Sequence, residues 1–169
     1  MAGRVMGKPV RRKRARGKVA GAGRGRGGHL EVIQLQENKP EYNMPYVPAI
    51  KAHGGKVLFL SGVVAAPIYH HHPHRPEEFD RIPQDAASQA RMALQNLQRV
   101  LEAGGGSIRD VVYTTRFFTN LAEDQDAVNR VWNEFFGDHI PCITTVQITR
   151  LGTDPRLRLE IAAIAVIPE

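Results

Sequence analysis

The densest group of reactive side chains lies in one stretch, where His70, His71, His72 and His74 precede Arg75 and the cluster Glu77-Glu78-Phe79-Asp80. Four imidazoles could ligate zinc, nickel or copper. Neighbouring histidines in a proline-broken loop lack the fixed geometry of a catalytic centre, so solvation or adventitious binding is the ordinary reading and no metal is expected. Cys142, the only cysteine, stands beside Pro141 with His139 nearby, but no third group orients the pair for nucleophilic catalysis. A lone cysteine also forms no internal disulfide, which points to a reducing compartment, the cytoplasm. Gly21-Ala22-Gly23-Arg24-Gly25 does not follow a strand, and a nucleotide-binding reading fails on that context.

Charge is distributed unevenly. The net charge is +6, yet residues 1 to 28 hold ten Lys or Arg and no acid, leaving thirteen bases against seventeen acids, a net −4, in the rest. The body therefore offers no basic groove, and any nucleic-acid contact is expected through the tail only, where Arg24-Gly25-Arg26-Gly27-Gly28 could hold phosphates. Those 28 residues also carry eight of the sixteen glycines and almost no large apolar side chain. They read as a disordered basic tail, 1–28, ahead of one domain, 29–169. The tail lacks the apolar stretch of a secretory signal and the serines of a transit peptide. The longest near-apolar run, Val57 to Ile68, is interrupted by Ser61, Gly62 and Pro67 and is too short to span a bilayer, so no membrane partner is expected.

The body has the pattern of an ordered domain mixing helices and strands. Leu30 to Leu35 partly alternates apolar and polar residues, and Lys56 to Val64 is a β-branched and aromatic run bounded by Gly54-Gly55 and Pro67. Between Asp85 and Ala103, the residues Ala86, Ala90, Ala93, Leu94, Leu97, Val100 and Leu101 fall on one helical face, and Gly104-Gly105-Gly106 stops the helix. Ile108 to Thr119 is a further strand, and Ala122 to Phe136 a second helix presenting Val128, Val131, Trp132 and Phe135 inward. Ile143 to Leu151 and Leu157 to Ile167 read as strands joined at Gly152-Thr153-Asp154-Pro155, which predicts a hairpin. From Ala162 both faces of the last strand are apolar, so that end should be covered on both sides. Two helices cover one face of a sheet, and the other apolar face is expected to meet a second copy.

Phe59-Leu60-Ser61-Gly62, Gln89-Ala90-Arg91 to Asn96-Leu97, Leu101-Glu102-Ala103-Gly104-Gly105, Asp110 to Phe118, Val128-Asn129 to Phe135-Phe136 and Glu160 to Val166 occur in an order that resembles the Rid/YjgF family. These are the reactive-intermediate deaminases, once labelled endoribonuclease L-PSP. The resemblance runs from about Leu30 to Pro168. It implies an α+β, chorismate-mutase-like subunit: a six-stranded mixed sheet with two helices on one face, assembled as a homotrimer with sites in clefts between subunits. It also implies a small-molecule substrate, an enamine or imine hydrolysed to a carbonyl compound and ammonia, with no cofactor. An imine carbon is already electrophilic, so such a site mainly holds the substrate, orients the iminium and positions a water.

Family members hold the substrate carboxylate with an arginine, followed two positions on by a cysteine, while a glutamate on the last strand helps position water. Aligned on Pro141 and Thr145-Val146-Gln147-Ile148-Thr149-Arg150-Leu151, this chain has Ile143 at the arginine position and Thr145 at the cysteine position. Ala162 stands at the glutamate position, because Glu160 matches the outer acidic residue. Tyr46, Ser61 with Gly62, and Asn129 match the family's tyrosine, serine-glycine and asparagine. The candidate substrate-binding set is thus Tyr46, Ser61, Gly62, Asn129, Ile143 and Thr145, with no catalytic residue assigned. Thr144 and Thr145 point to opposite faces of their strand, and Thr145 is the one expected in the cleft. Arg150, seven residues from Ile143, falls on the opposite face and reads as structural. The Ala65 to Pro83 loop is longer than in typical members and could close over the cleft, supplying Arg75 or an imidazole as the anion partner.

Three functions remain open at this level. One is an atypical imine or enamine deaminase at an intersubunit cleft. Another is a non-catalytic trimeric ligand-binding or regulatory protein, which the loss of the arginine and glutamate favours. RNA binding or cleavage, suggested by the tail and the older family label, is the third.

Overall fold

A computed structural model of the chain describes residues 23–24, 28–35, 44, 46–67 and 71–169. The helix α1 spans Ala86–Ala103 and begins where the Asp85 carboxylate accepts the Ser88 N–H at 2.8 Å. That N-cap satisfies a backbone donor the helix cannot satisfy itself. Its buried stripe is Ala86, Ala90, Ala93, Leu94, Leu97 and Leu101, as the periodicity requires, but Val100 is 44% exposed and lies off it. Gln89 joins the stripe because both ends of its amide are bonded: Nε2 donates to the Pro83 and Arg156 carbonyls, and Oε1 accepts from the Arg158 N–H. The second helix, α2, spans Leu121–Phe136 and buries Val128, Val131, Trp132 and Phe136, with Phe135 half-buried at the edge of the same core. It stops at Gly137, whose φ of +57° is strained for a residue with a Cβ.

Among the described residues the strands form a three-stranded and a four-stranded sheet, and the single six-stranded sheet that the resemblance implies is not seen as such. In the smaller, β1 (Gly23–Arg24), β2 (Leu30–Ile33) and β3 (Ala49–Ala52) pair antiparallel in that order. The backbone of Gly23–Arg24 thus pairs with Val32 and Glu31, while most of the expected tail lies outside the described residues. The larger sheet contains β4 (Lys56–Val64), β5 (Val111–Phe118), β6 (Cys142–Gln147) and β7 (Leu159–Ile167) in the order β4-β7-β5-β6. His29 reaches from the smaller sheet to the larger, its Nε2 lying 2.8 Å from the Val166 carbonyl oxygen.

The expected hairpin of the last two strands does not form. Strand β5 lies between them, parallel to β6 and antiparallel to β7. The reason is the crossover through α2, which returns the chain to the same end of the sheet and makes β6 a parallel edge strand beside β5. Strand β7, apolar on both faces at its end, takes the interior place between β4 and β5. Strand β6 also ends at Gln147, so Ile148 to Leu151 leave the strand.

Both helices pack on one face of this sheet, against Leu60, Val111, Phe118, Leu159, Ile161, Ala163 and Ala165. The opposite face carries Val57 and Phe59, 56% and 77% exposed, and the half-buried Ala162 and Ile164. Among the described residues, Val57 and Phe59 leave that face open. A smaller cluster of Phe79, Ile82, Leu151 and Leu157 anchors the long loop beside the sheet.

Candidate functional site

The helix-facing side of β5 shows Thr114, Arg116 and Phe118, and the parallel register sets Arg116 beside Thr145 and Thr114 beside Ile143. Side-chain parity then sends Ile143 and Thr145 toward the helices, where Ile143 packs at the edge of the core. Thr144 faces the other way and its Oγ1 accepts the Tyr113 hydroxyl at 2.6 Å. The Arg116 guanidinium crosses beneath β6: Nε and Nη2 donate to the Thr145 Oγ1 at 3.1 and 2.9 Å, and Nη1 donates to the Asn129 Oδ1 on α2 at 2.8 Å. Asn129 and Thr145, far apart in sequence, therefore meet at one buried arginine. The guanidinium also lies over the Trp132 ring, 4.9 Å from its centroid. Burial pulls the pKa of the Arg116 guanidinium down to about 10.

Arg116 was not among the residues the sequence suggested. In a strand an arginine ordinarily points to water, and it was the parity with fully buried Phe118 that could have revealed it.

Ser61 and Gly62 lie elsewhere. They sit at the irregularity in β4 where pairing with β7 shifts between Leu60 and Val63. A Cβ on Gly62 would run into the Glu160 carboxyl group, so glycine allows the close approach. Burial raises the Glu160 pKa above 4.5. Beside them a pocket of about 240 Å3 is lined by Gly62, Val64, Asn96, Thr153 and Glu160 among others. Ala162 shares the Glu160 face and pairs with Thr115, on the side of the sheet away from Thr145. Tyr46 is 41% exposed.

One chain therefore presents two separate groups. Asn129, Ile143, Thr145 and Arg116 cluster beneath one edge of the sheet, and Ser61 and Gly62 occupy the other edge, three strand spacings or roughly 14 Å away.

The histidine loop is partly tied down. Pro76–Phe79 forms a short helical turn, Phe79 is buried, and Arg156 donates to the Pro76 carbonyl and the Asp80 carboxylate. His71 Nδ1 lies 2.9 Å from Glu78 Oε1, and the His72 and His74 rings are 4.8 Å apart. His70 lies outside the described residues. Among the described residues, no three His, Cys, Asp or Glu side chains converge as a metal-ligand group. Arg150 is exposed; hydrogen bonds from Arg156 hold the Asp154 carboxyl below its ordinary pKa, and the Arg150 charge makes the smallest contribution. Burial pushes the Cys142 thiol up, away from the reactive thiolate. Among the described residues, no helix is long and apolar enough to cross a membrane.

Comparison with known proteins identifies the family of the chain. The family model described as Endoribonuclease L-PSP matches residues 36–167. A RutC family protein from Pyrococcus horikoshii is 34% identical over 136 residues, spanning 80% of this chain and 98% of the relative. The 2-iminobutanoate/2-iminopropanoate deaminase of Escherichia coli is 34% identical over 133 residues, 77% of this chain and 93% of its own. Among solved structures, Escherichia coli TdcF with bound serine superposes with a TM-score of 0.54 at 33% identity, covering 73% of this chain and 88% of that one. With an α+β subunit of two helices on a mixed sheet and a match over most of its length, the chain belongs to the Endoribonuclease L-PSP family, the Rid/YjgF proteins.

Proposed function

We propose that the protein is an atypical Rid-type deaminase that hydrolyses a small imine or enamine to a carbonyl compound and ammonia, in a cleft completed by a second copy of the chain within a homotrimer. The observation that carries this reading is the meeting of Asn129 and Thr145 at one buried cation. It is supported by the deaminase relative at 34% identity.

The chemistry asks little of the protein. Water adds to the iminium carbon, the C–N bond breaks, and nitrogen leaves as ammonium with both water protons. The substrate must be held and the water directed. Ser61 and Gly62 offer a hydroxyl and a close backbone approach, and Glu160, at the same bulge, keeps a carboxyl on the face from which Ala162 has lost one. Burial raises its pKa toward the range where a carboxyl can both accept and return a proton.

The separation of the two residue groups supports an intersubunit cleft, since no small ligand reaches across three strand spacings. The uncovered face with Val57 and Phe59 supports assembly on that side. The acidic body outside the tail argues against an RNA groove.

The test generates 2-iminobutanoate in situ from an amino-acid oxidase and follows 2-oxobutanoate formation with and without the protein. Acceleration over the spontaneous rate is expected. No acceleration by an intact trimer, together with tight binding of a small ligand, would instead establish a non-catalytic binding protein.

A further inference from the structure

We propose that Arg116 supplies the carboxylate-binding cation of this site from strand β5, in place of the arginine that the neighbouring strand β6 lacks at Ile143. The inference rests on the proposed imine-hydrolysing site but concerns a residue outside the motif that suggested it.

The first observation is an unbalanced charge. Arg116 is 3% exposed, and among the described residues no carboxylate lies within ion-pair distance of it. Arg91, Arg109, Arg156 and Arg158 each rest against an acid. Its hydrogen-bond partners, Thr145 and Asn129, are both neutral. A buried cation without a counterion is costly, and a fold retains one where an anion is to be bound. A guanidinium carries five N–H donors, and the three bonds to Thr145 and Asn129 leave two unassigned.

The second observation is independent of that charge. Trp132, whose ring the guanidinium covers, is 1% exposed, and its Nε1 has no hydrogen-bond partner among the described residues. A buried indole N–H ordinarily finds one. An anion beside Arg116 would satisfy both deficits, with Trp132 and Ile143 as apolar walls for a short side chain.

The third is geometric substitution. Thr114 pairs with Ile143 and Arg116 with Thr145, so position 143 and Arg116 lie two register positions apart on the same, helix-facing side of the sheet. A guanidinium moved from β6 to β5 reaches the same space from beneath.

The experiment measures binding of 2-oxobutanoate, and of uncharged 2-butanone as control, to the full chain and to Arg116→Met and Arg116→Lys, alongside kcat and KM for 2-iminobutanoate. A charge-assisted hydrogen bond contributes roughly 1.5 to 3 kcal/mol, so Arg116→Met should bind 2-oxobutanoate about 10- to 150-fold more weakly. Binding of 2-butanone should not change. Arg116→Lys keeps the charge without the planar fork and should fall between. Unchanged 2-oxobutanoate affinity in Arg116→Met overturns the inference. If that variant fails to fold, Arg116→Lys decides: a tenfold loss with normal melting supports the inference, and unchanged affinity and KM overturn it. Hydrolysis surviving in a variant with unchanged KM defeats Arg116 while leaving the deaminase reading intact. Arg116-dependent binding without hydrolysis in the native chain does the reverse.

Discussion

Replacing Asn129 by Asp places a carboxylate where the neutral Asn129 Oδ1 now accepts from Arg116 Nη1 at 2.8 Å. The change is nearly isosteric, so packing is preserved and electrostatics decide. With charge centres about 4 Å apart and an effective dielectric of about 20, the attraction is on the order of 4 kcal/mol. Desolvating the new carboxylate on a half-buried helix face offsets much of this, leaving a net stabilisation of about 1 kcal/mol. For a domain of this size that raises the melting temperature by about 2 to 4 °C. The same internal ion pair neutralises the cation for a substrate, so affinity for 2-oxobutanoate should drop at least about tenfold. A more stable and less active enzyme is an unusual combination, and differential scanning calorimetry with isothermal titration reads both halves. A variant that melts lower and binds the oxo acid as tightly as the parent would refute the claim that Arg116 is an uncompensated buried charge awaiting an anion.

Glu160→Gln tests the carboxyl at the bulge. Burial raises its pKa in the fold above 4.5, so ionisation opposes folding: the penalty is absent below about pH 4, grows as pH rises through the folded pKa, and is complete above it. The variant should therefore melt higher than the parent at about pH 7 and equally at about pH 4, and a gain confined to low pH would contradict the assignment. Asp124→Ala removes a buried carboxylate that receives Arg158 Nε at 2.9 Å and Nη2 at 2.7 Å. Denaturant melts should show a loss of about 3 kcal/mol, moderated because Arg158 keeps Glu123, and a loss below about 1 kcal/mol would show the pair to be dispensable. Deleting residues 1 to 22, rich in charge and poor in apolar side chains, should shift the melting temperature by less than about 2 °C. A larger drop would mean that those residues are docked on the body.

Much of the fold was legible in residue spacing. The Ala/Leu stripe of α1 sits at helical period and is buried almost as read, because small residues at Ala86, Ala90 and Ala93 are what a close helix–sheet contact demands. Val100 failed for a geometric reason: Leu97 and Leu101 carry the buried line of the helix, and Val100 lies about 100° round the axis from Leu101, on the exposed side. The β6–β7 pairing was not legible, since alternation in each strand fixes which face is inward but not which strand is the neighbour. Strand β3, Ala49-Ile50-Lys51-Ala52, has too little apolar surface to announce itself. The site was half visible. Asn129 and Thr145 were found through the family resemblance, but what brings them together is Arg116, and an arginine in Val111 to Phe118 reads as outward until the register places it beside Thr145.

The central claim is that residues at the two edges of the sheet, supplied by different copies, form one site. Subunit mixing tests it most directly. Asn129→Asp disables one half, and Gly62→Ala disables the other by forcing a Cβ against the Glu160 carboxyl group. Each homotrimer alone should be nearly inactive toward 2-iminobutanoate. Denatured together in equal amounts and refolded, they should scramble so that about a quarter of the interfaces join two intact halves, restoring roughly 25% of native activity. A refolded mixture of verified mixed trimers no more active than its parents would contradict the shared site and return the chemistry to a single chain.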